Sequence, residues 1–281
     1  MKILKFLMAF SPMLVMQPAL AEQRNEQILN CMEPLGHHRN YRIYTCPLGG
    51  EKFEALSLGT HSKFGGHLDW EPVSYMDFPT PLAICPSNGF IISKNDYTDD
   101  ELKNIQIIIE SEAYKTLYEG KHASYYLFAK LQELRQIPDI DLWWLTLQAT
   151  WEADKCGDRK KYKMYVLETI KEGKKSLETL NEDDNKFWTL NIVIPNLYRR
   201  LGEFEKAQKW LETFGDKTPK EDEIFSIDYF KRAIETLTEE IEKNNTKQVK
   251  VKRPPRKEIP NPQSDAFVFD VDEFEYKGDE N

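Results

Sequence analysis

Thr98-Asp99-Asp100-Glu101-Leu102-Lys103-Asn104-Ile105-Gln106-Ile107-Ile108-Ile109 is where the chain changes character. A threonine followed three residues later by a glutamate is a capping box. The hydroxyl can accept from a backbone N–H of the first turn, and the carboxylate can reach back to the threonine's own N–H. Leu102, Ile105 and Ile109 then share one helical face. Before Thr98 the apolar residues come in short runs between Gly and Pro; from Thr98 to about Asn244 they recur with a helical period. The expected class is α+β, mostly α.

Working downstream, Ala123, Leu127, Leu131 and Leu134 form a stripe that ends near Pro138. Leu142 to Trp151 is apolar almost all round, which marks the most buried helix. Further stripes run through Tyr162, Val166, Ile170, Gly173, Leu177 and Leu180, through Phe187, Leu190, Ile194, Leu197 and Leu201, through Phe204, Ala207, Leu211 and Phe214, and through Ile227, Phe230, Ile234, Leu237 and Ile241. About seven helices with short polar turns predict stacked helical hairpins over 98–244. Trp143, Trp144, Trp151, Trp188 and Trp210 fit either the core between helices or a groove for a peptide or partner helix; Trp143, Trp144, Trp151 and Tyr198 are the candidate groove. The run Glu182-Asp183-Asp184 reads as an acidic helix start.

Working upstream, residues 41–93 read as short strands and hairpins punctuated by Gly49, Gly50, Gly59, Gly65, Gly66, Pro79 and Pro81. They belong to an expected small β module over 22–97, whose polar start carries Cys31 and the pair His37-His38. Residues 1–21 read as a secretory signal peptide. Lys2 and Lys5 precede an apolar run, and Pro18-Ala19-Leu20-Ala21 supplies a small-x-small cleavage site before Glu22. The expected location is periplasmic or secreted. No later segment is apolar enough to span a bilayer, so no membrane span is expected after cleavage. Removing Lys2 and Lys5 takes the formal charge from -9 to -11, which disfavours nucleic acid and anionic lipid as partners.

Past Asn245 the helical period ends. Lys247, Lys250, Lys252, Arg253, Arg256 and Lys257 mix with Pro254, Pro255, Pro260 and Pro262, and Asp265 to Asn281 is acidic. This composition predicts a disordered charged tail over 245–281. Within it Phe267-Val268-Phe269-Asp270-Val271-Asp272 alternates apolar and acidic residues, a pattern able to add as a strand to a sheet edge.

Two cysteine motifs stand in the β module: Cys46-Pro47-Leu48-Gly49-Gly50 and Cys85-Pro86-Ser87-Asn88-Gly89-Phe90. A zinc knuckle of the form Cys-Pro-x-Cys-Gly aims two sulfurs at one metal. Here Gly49 and Asn88 stand where the second sulfurs belong. Together with Phe53 and the helices that follow, these motifs resemble the uncharacterised bacterial family DUF2225, over roughly residues 40–215. That resemblance implies a zinc-ribbon-like module followed by tetratricopeptide-like helices, and supplies no activity. A second resemblance lies in 196–207. Tyr198, Gly202, Phe204 and Ala207 match the middle of a tetratricopeptide repeat, in which the Gly permits a tight helical turn and the Ala a close helix approach. Asn191 and Pro195 depart from that pattern.

In an intact ribbon the four ligands surround one metal, so the surviving sulfurs of Cys46 and Cys85 should start close together. In an oxidising compartment the resemblance therefore implies a Cys46–Cys85 disulfide. Four cysteines allow three pairings, and Cys31–Cys156 is the one left over. The alternative is a residual metal site of Cys46, His61, His67 and Cys85. Asp69 and Glu71 near His67 read as a polar turn or as a carboxylate–histidine group. The chain has no Gly-x-Ser-x-Gly elbow, no His-Glu-x-x-His and no phosphate loop. The expected function is an exported, non-enzymatic protein that binds a protein or peptide and needs no cofactor. Its rival is an envelope hydrolase or metal-dependent enzyme built on His61, His67 and Asp69.

Overall fold

In the computed structural model, which describes residues 40–57, 61–137, 141–215, 217–220 and 227–252, the capping box is made in full. Glu101 donates its N–H to the Thr98 hydroxyl at 3.2 Å, and Thr98 donates its own to the Glu101 carboxylate at 2.9 Å. Helix α1 (Asp99–Ile109) follows and buries Ile105 and Ile109. The other helices are α2 (Glu112–Glu119), α3 (Ser124–Leu134), α4 (Leu142–Lys155), α5 (Arg159–Leu177), α6 (Asn185–Arg200), α7 (Phe204–Phe214) and α8 (Ile227–Glu242). The molecule is α+β and mostly helical, as expected. The helix that the stripes do not reveal is α2, which spans 8 residues and buries only Tyr114. Ser111 starts it by accepting from the Tyr114 N–H.

Three antiparallel hairpins precede the helices. β1 (Asn40–Thr45) pairs with β2 (Lys52–Ser57) from Asn40↔Ser57 to Thr45↔Lys52. β3 (Lys63–Gly66) pairs with β4 (Pro72–Ser74), with a register shift between Lys63 and Gly66. β5 (Ala83–Ile84) pairs with β6 (Ile91–Ile92). The two cysteine motifs are thus the loops of the first and third hairpins.

Sequence neighbours stack: α3 on α4, α4 on α5, α5 on α6, and α6 on α7, with α8 covering α6 and α7. Glycine sets one spacing. A Cβ at Gly173 of α5 would lie 2.9 Å from Leu190 Cδ2 of α6, so the small residue lets the two helices approach. Gly202, at φ +79°, turns the chain between α6 and α7. Asn191 lies inside α6 and accepts from the Trp210 indole N–H of α7 at 3.0 Å, so this departure from the repeat pattern ties the two helices together.

α4 is buried on nearly every side and also caps a neighbour. The residue before α3, Ala123, offers no side-chain cap. The Glu152 carboxylate accepts instead from Ser124 N and Tyr125 N, at 3.1 and 3.0 Å. Burial pushes its pKa up to about 7, and in its ionised form the charge lies at the positive end of a helix. The Ser124 hydroxyl donates to Glu152 and accepts from Leu82 N, joining the helices to β5's approach.

The β module shares its core with the first helices. Cys46, Cys85 and Phe90 pack with Ile105, Ile109, Tyr114 and Leu131. The C-terminal side departs from expectation. Residues 245–252, placed in the charged tail by composition, lie on the body. Leu68 N donates to Val249 O, Val251 N donates to Gly66 O, and Val251 is buried. Period-2 apolar residues with a strand edge to pair with outweigh a basic, proline-flanked composition. The signal peptide, Cys31 and the remainder of the tail lie outside the described residues.

Candidate functional site

The two cysteine loops fold into the same turn. Cys46 N donates to Glu51 O at 2.8 Å, and Gly50 N donates to Cys46 O at 3.1 Å. In the second loop, Cys85 N donates to Phe90 O at 2.8 Å, and Gly89 N to Cys85 O at 2.9 Å. Gly50 and Gly89 take φ of +70° and +75°, a conformation that glycine adopts without penalty. The turns face each other. Cys46 and Cys85 are bonded, with S–S 2.10 Å and Cα–Cα 5.7 Å. A Cβ at Gly49 would meet Asn88 Nδ2 at 3.8 Å.

Asn88 fills the space beside the disulfide. Its amide donates to Leu48 O at 2.6 Å, its oxygen accepts from Phe90 N at 2.9 Å, and Nδ2 lies 3.7 Å from Cys46 Sγ. Glu51 closes the pair from the first turn, accepting from Ser87 N and Ser87 Oγ at 3.0 and 2.6 Å. Tyr114 OH of α2 donates to Gly89 O at 2.9 Å, which anchors the second turn to the helices.

The glycines provide a graded test. At Gly50 a Cβ meets nothing within 4 Å, while at Gly89 it would lie 3.1 Å from the Tyr118 ring. Gly50→Ala is expected to cost only the left-handed backbone, about 1 kcal/mol. Gly89→Ala adds overpacking and should cost roughly 3 kcal/mol. Urea denaturation of both variants measures the difference, and equal losses would contradict the packing of Tyr118 on this turn.

A second centre forms around His67. The chain turns at 67–71, with His67 N donating to Glu71 O at 2.9 Å and Trp70 at φ +65°. This turn brings His67, Asp69 and Glu71 together, with Asp69 and Glu71 only 3% and 4% exposed. Their ring nitrogen and carboxylate oxygens lie within 4.8 Å of one another. The oxygens already have donors, which a cation would have to displace. Gln248 Nε2 reaches both Asp69 oxygens at 2.9 and 2.8 Å and Glu71 Oε2 at 3.1 Å. Lys155 Nζ lies 3.1 Å from Glu71 Oε1 and 3.1 Å from Asp77 Oδ1. From α6, Arg200 donates to Gln248 Oε1 at 3.2 Å, to Asp154 Oδ2 at 2.9 Å and to Tyr162 OH at 2.8 Å. Burial, helped by Asp69, pushes the Glu71 carboxyl up to about 7, and burial lowers the His67 pKa.

The other candidate residues lie apart. His61 packs edge-on against Phe78, with ring centroids 5.0 Å apart, and does not join His67 and Asp69. The alternative metal set of Cys46, His61, His67 and Cys85 is therefore not brought together; its two sulfurs are bonded to each other. The expected aromatic groove is corrected too. Trp143 and Trp151 are each 4% exposed and Tyr198 8%, with Trp144 wedged edge-to-face between the two tryptophans. The tryptophans are core because α4 is covered by α3 and α5, and Tyr198 is buried where α6 packs on α5 and α7. Cys156, at the end of α4, is also in a disulfide, and the Cys31 end of the expected pairing lies outside the described residues. Lys155, Arg200 and Gln248 were absent from the sequence-derived site. Comparison with protein-family models, with curated proteins and with solved structures finds no match to this chain.

Proposed function

We propose that the chain is an exported, non-enzymatic protein that binds another protein or a peptide through the open edge of β1. The observation that carries this reading is β1 itself. Among the described residues it hydrogen-bonds to β2 only, and it presents Tyr41 and Ile43 at 43% and 63% exposure. An uncovered strand with exposed apolar residues is a template for an added strand, and natural proteins otherwise blunt such edges.

The scaffold beneath it supports export. Two matched turns, with Gly49 and Asn88 facing each other beside the Cys46–Cys85 bond, are the arrangement expected of a zinc ribbon that has exchanged its metal for a disulfide. Such bonds persist in oxidising compartments. The α6–Gly202–α7 hairpin, with Ala207 fully buried, fits a tetratricopeptide-like stack. Both features agree with the DUF2225 resemblance. The rival enzyme loses His61 to Phe78, and Gln248 and Lys155 already fill the acceptors of its carboxylates.

Site-directed photo-crosslinking tests the reading. A benzophenone side chain at Ile43 of the exported protein should yield a discrete adduct, and one at Ile107, exposed on α1, should not. Ile43→Asp should abolish co-purification of the captured species. Identical adducts from both positions, or none from Ile43, would refute binding through β1. Intact mass should begin at Glu22.

A further inference from the structure

Residues 245–252 cross the molecule as a strap, and most of what holds them is polar. The strap runs antiparallel to residues 66–68, with a bridge between His67 and Lys250. Arg199 of α6 donates to Asn245 O, and Lys252 N reaches Thr236 Oγ1 of α8 at 3.4 Å. At its centre the Gln248 amide spans Asp69 and Glu71.

We propose that this strap is a pH-sensitive latch, closed while Glu71 carries a proton beneath Gln248 and loosened when it is ionised. Asp69 and Glu71 are buried, with an oxygen of each within 4.8 Å of the other. Among the described lysines and arginines, Lys155, Arg200 and Arg159 ion-pair with Glu71, Asp77 and Asp154, and Lys155 alone makes an ion pair with the Asp69–Glu71 pair. Lys155 is divided between Glu71 and Asp77, and Arg200 between Asp154 and Gln248. Arg159 serves Asp154 from the surface. Among the described residues no lysine or arginine ion-pairs directly with Asp69, whose donors are the neutral Gln248 amide at both oxygens and the Glu71 N–H at Oδ1. Two buried carboxylates held this close, with one directly ion-paired cation that is shared with Asp77, favour a proton on Glu71.

Other groups also face the pair. His67, from the same turn, lies 3.7 Å from Glu71 Oε2, and burial lowers its pKa, with Asp69 opposing and Lys155 and Lys250 adding to the shift. Burial, helped by the Asp69 charge, raises the pKa values of Tyr162 of α5 and Tyr229 of α8, so both stay neutral. Arg199 of α6 donates to the neutral Asn196 and Asn245, and its charge acts on Asp69 from beyond ion-pair distance, which leaves the proton to Glu71.

The sign follows from linkage. A carboxyl whose folded pKa is raised stabilises the closed form below its ordinary value, near 4.5, and loses that contribution as pH rises to about 7. If opening the strap returns Glu71 to water, the open fraction should rise about tenfold between pH 6 and pH 8.5 and then level off. Opening would free Leu68 N–H and Gly66 C=O, an edge able to pair with another strand.

Hydrogen exchange read by mass spectrometry on the full exported protein tests this, with rates corrected for the intrinsic pH dependence of amide exchange. Peptides covering 66–71 and 246–252 should lose about tenfold in protection between pH 6 and pH 8.5, while α5 peptides covering 162–170 stay unchanged. Glu71→Gln, neutral at every pH, should abolish the change, and Asp69→Asn should do the same if the glutamine variant folds poorly. Equal protection at both pH values would overturn the latch. So would a loss that persists in both variants, or a parallel loss in α5 that marks global unfolding.

Discussion

Replacing Cys46 and Cys85 together by alanine is expected to destabilise the protein by about 4 kcal/mol. The bond closes a loop spanning a sequence separation of 39, and in the chain-entropy model releasing such a loop in the unfolded state costs that amount. For a body of this size the thermal midpoint should fall by roughly 10 °C. The folded form has little means of compensating. Both sulfurs are buried against Phe90, Ile105, Ile109, Tyr114 and Leu131, and the side-chain hydrogen bonds between the two turns come from Asn88 and Glu51. Single replacements should cost nearly as much as the double one, because either breaks the same covalent link. Thermal unfolding with and without a phosphine reductant sets an upper bound on the same quantity, because the reductant also opens the disulfide of Cys156. A double variant within 1 kcal/mol of the parent would show that Asn88, Glu51 and the shared core already hold the turns together.

The elements that local sequence specifies were legible. Thr98 and Glu101 announce a helix start because the bonds they make are three residues apart, and both are made. The long stripes read correctly because each buried face is repeated over several turns. α2 escaped because a helix of 8 residues with one buried side chain leaves no period to detect. The closeness of Cys46 and Cys85 was legible only through the knuckle motif, which specifies a turn as well as a residue.

Contacts between distant segments were harder to read. His61 and His67 share a glycine-rich stretch, and only the tight turn at 67–71 decides that His67 joins Asp69 and Glu71 while His61 goes to Phe78. Nor does any local rule connect Gln248 with Asp69, which depends on α4, α6 and the β3–β4 hairpin being in place. A signal for the strap did exist. Gln248-Val249-Lys250-Val251-Lys252 alternates polar and apolar residues, the mark of a strand with one covered face. Lysines and the prolines just beyond outweighed it in a reading by composition. The tryptophans show the opposite error: a helix apolar all round already excluded a groove on α4, since every face of it needed covering.

Two truncations separate the strap from the rest of the C-terminal segment. A chain ending at Lys252 should unfold within about 1 kcal/mol of the full protein, because charged, proline-rich sequence buries little apolar surface. A chain ending at Asn245 should lose roughly 5 kcal/mol. It removes the Gln248 amide from Asp69 and Glu71, the acceptor of Leu68 N–H and the donor to Gly66 C=O. Leaving buried polar groups without partners costs about 1–3 kcal/mol each, less where water can enter. The buried Val251 and the half-buried Val249 add about 1.5 kcal/mol apiece at most. Arg200 keeps Asp154 and Tyr162, so its cation is not stranded and the helices should remain folded. The loss should therefore be greatest in the β3–β4 hairpin, with exchange protection falling there before it falls in α5. Urea denaturation of the two chains decides the matter: equal midpoints would mean that residues 246–252 rest on the surface without holding it.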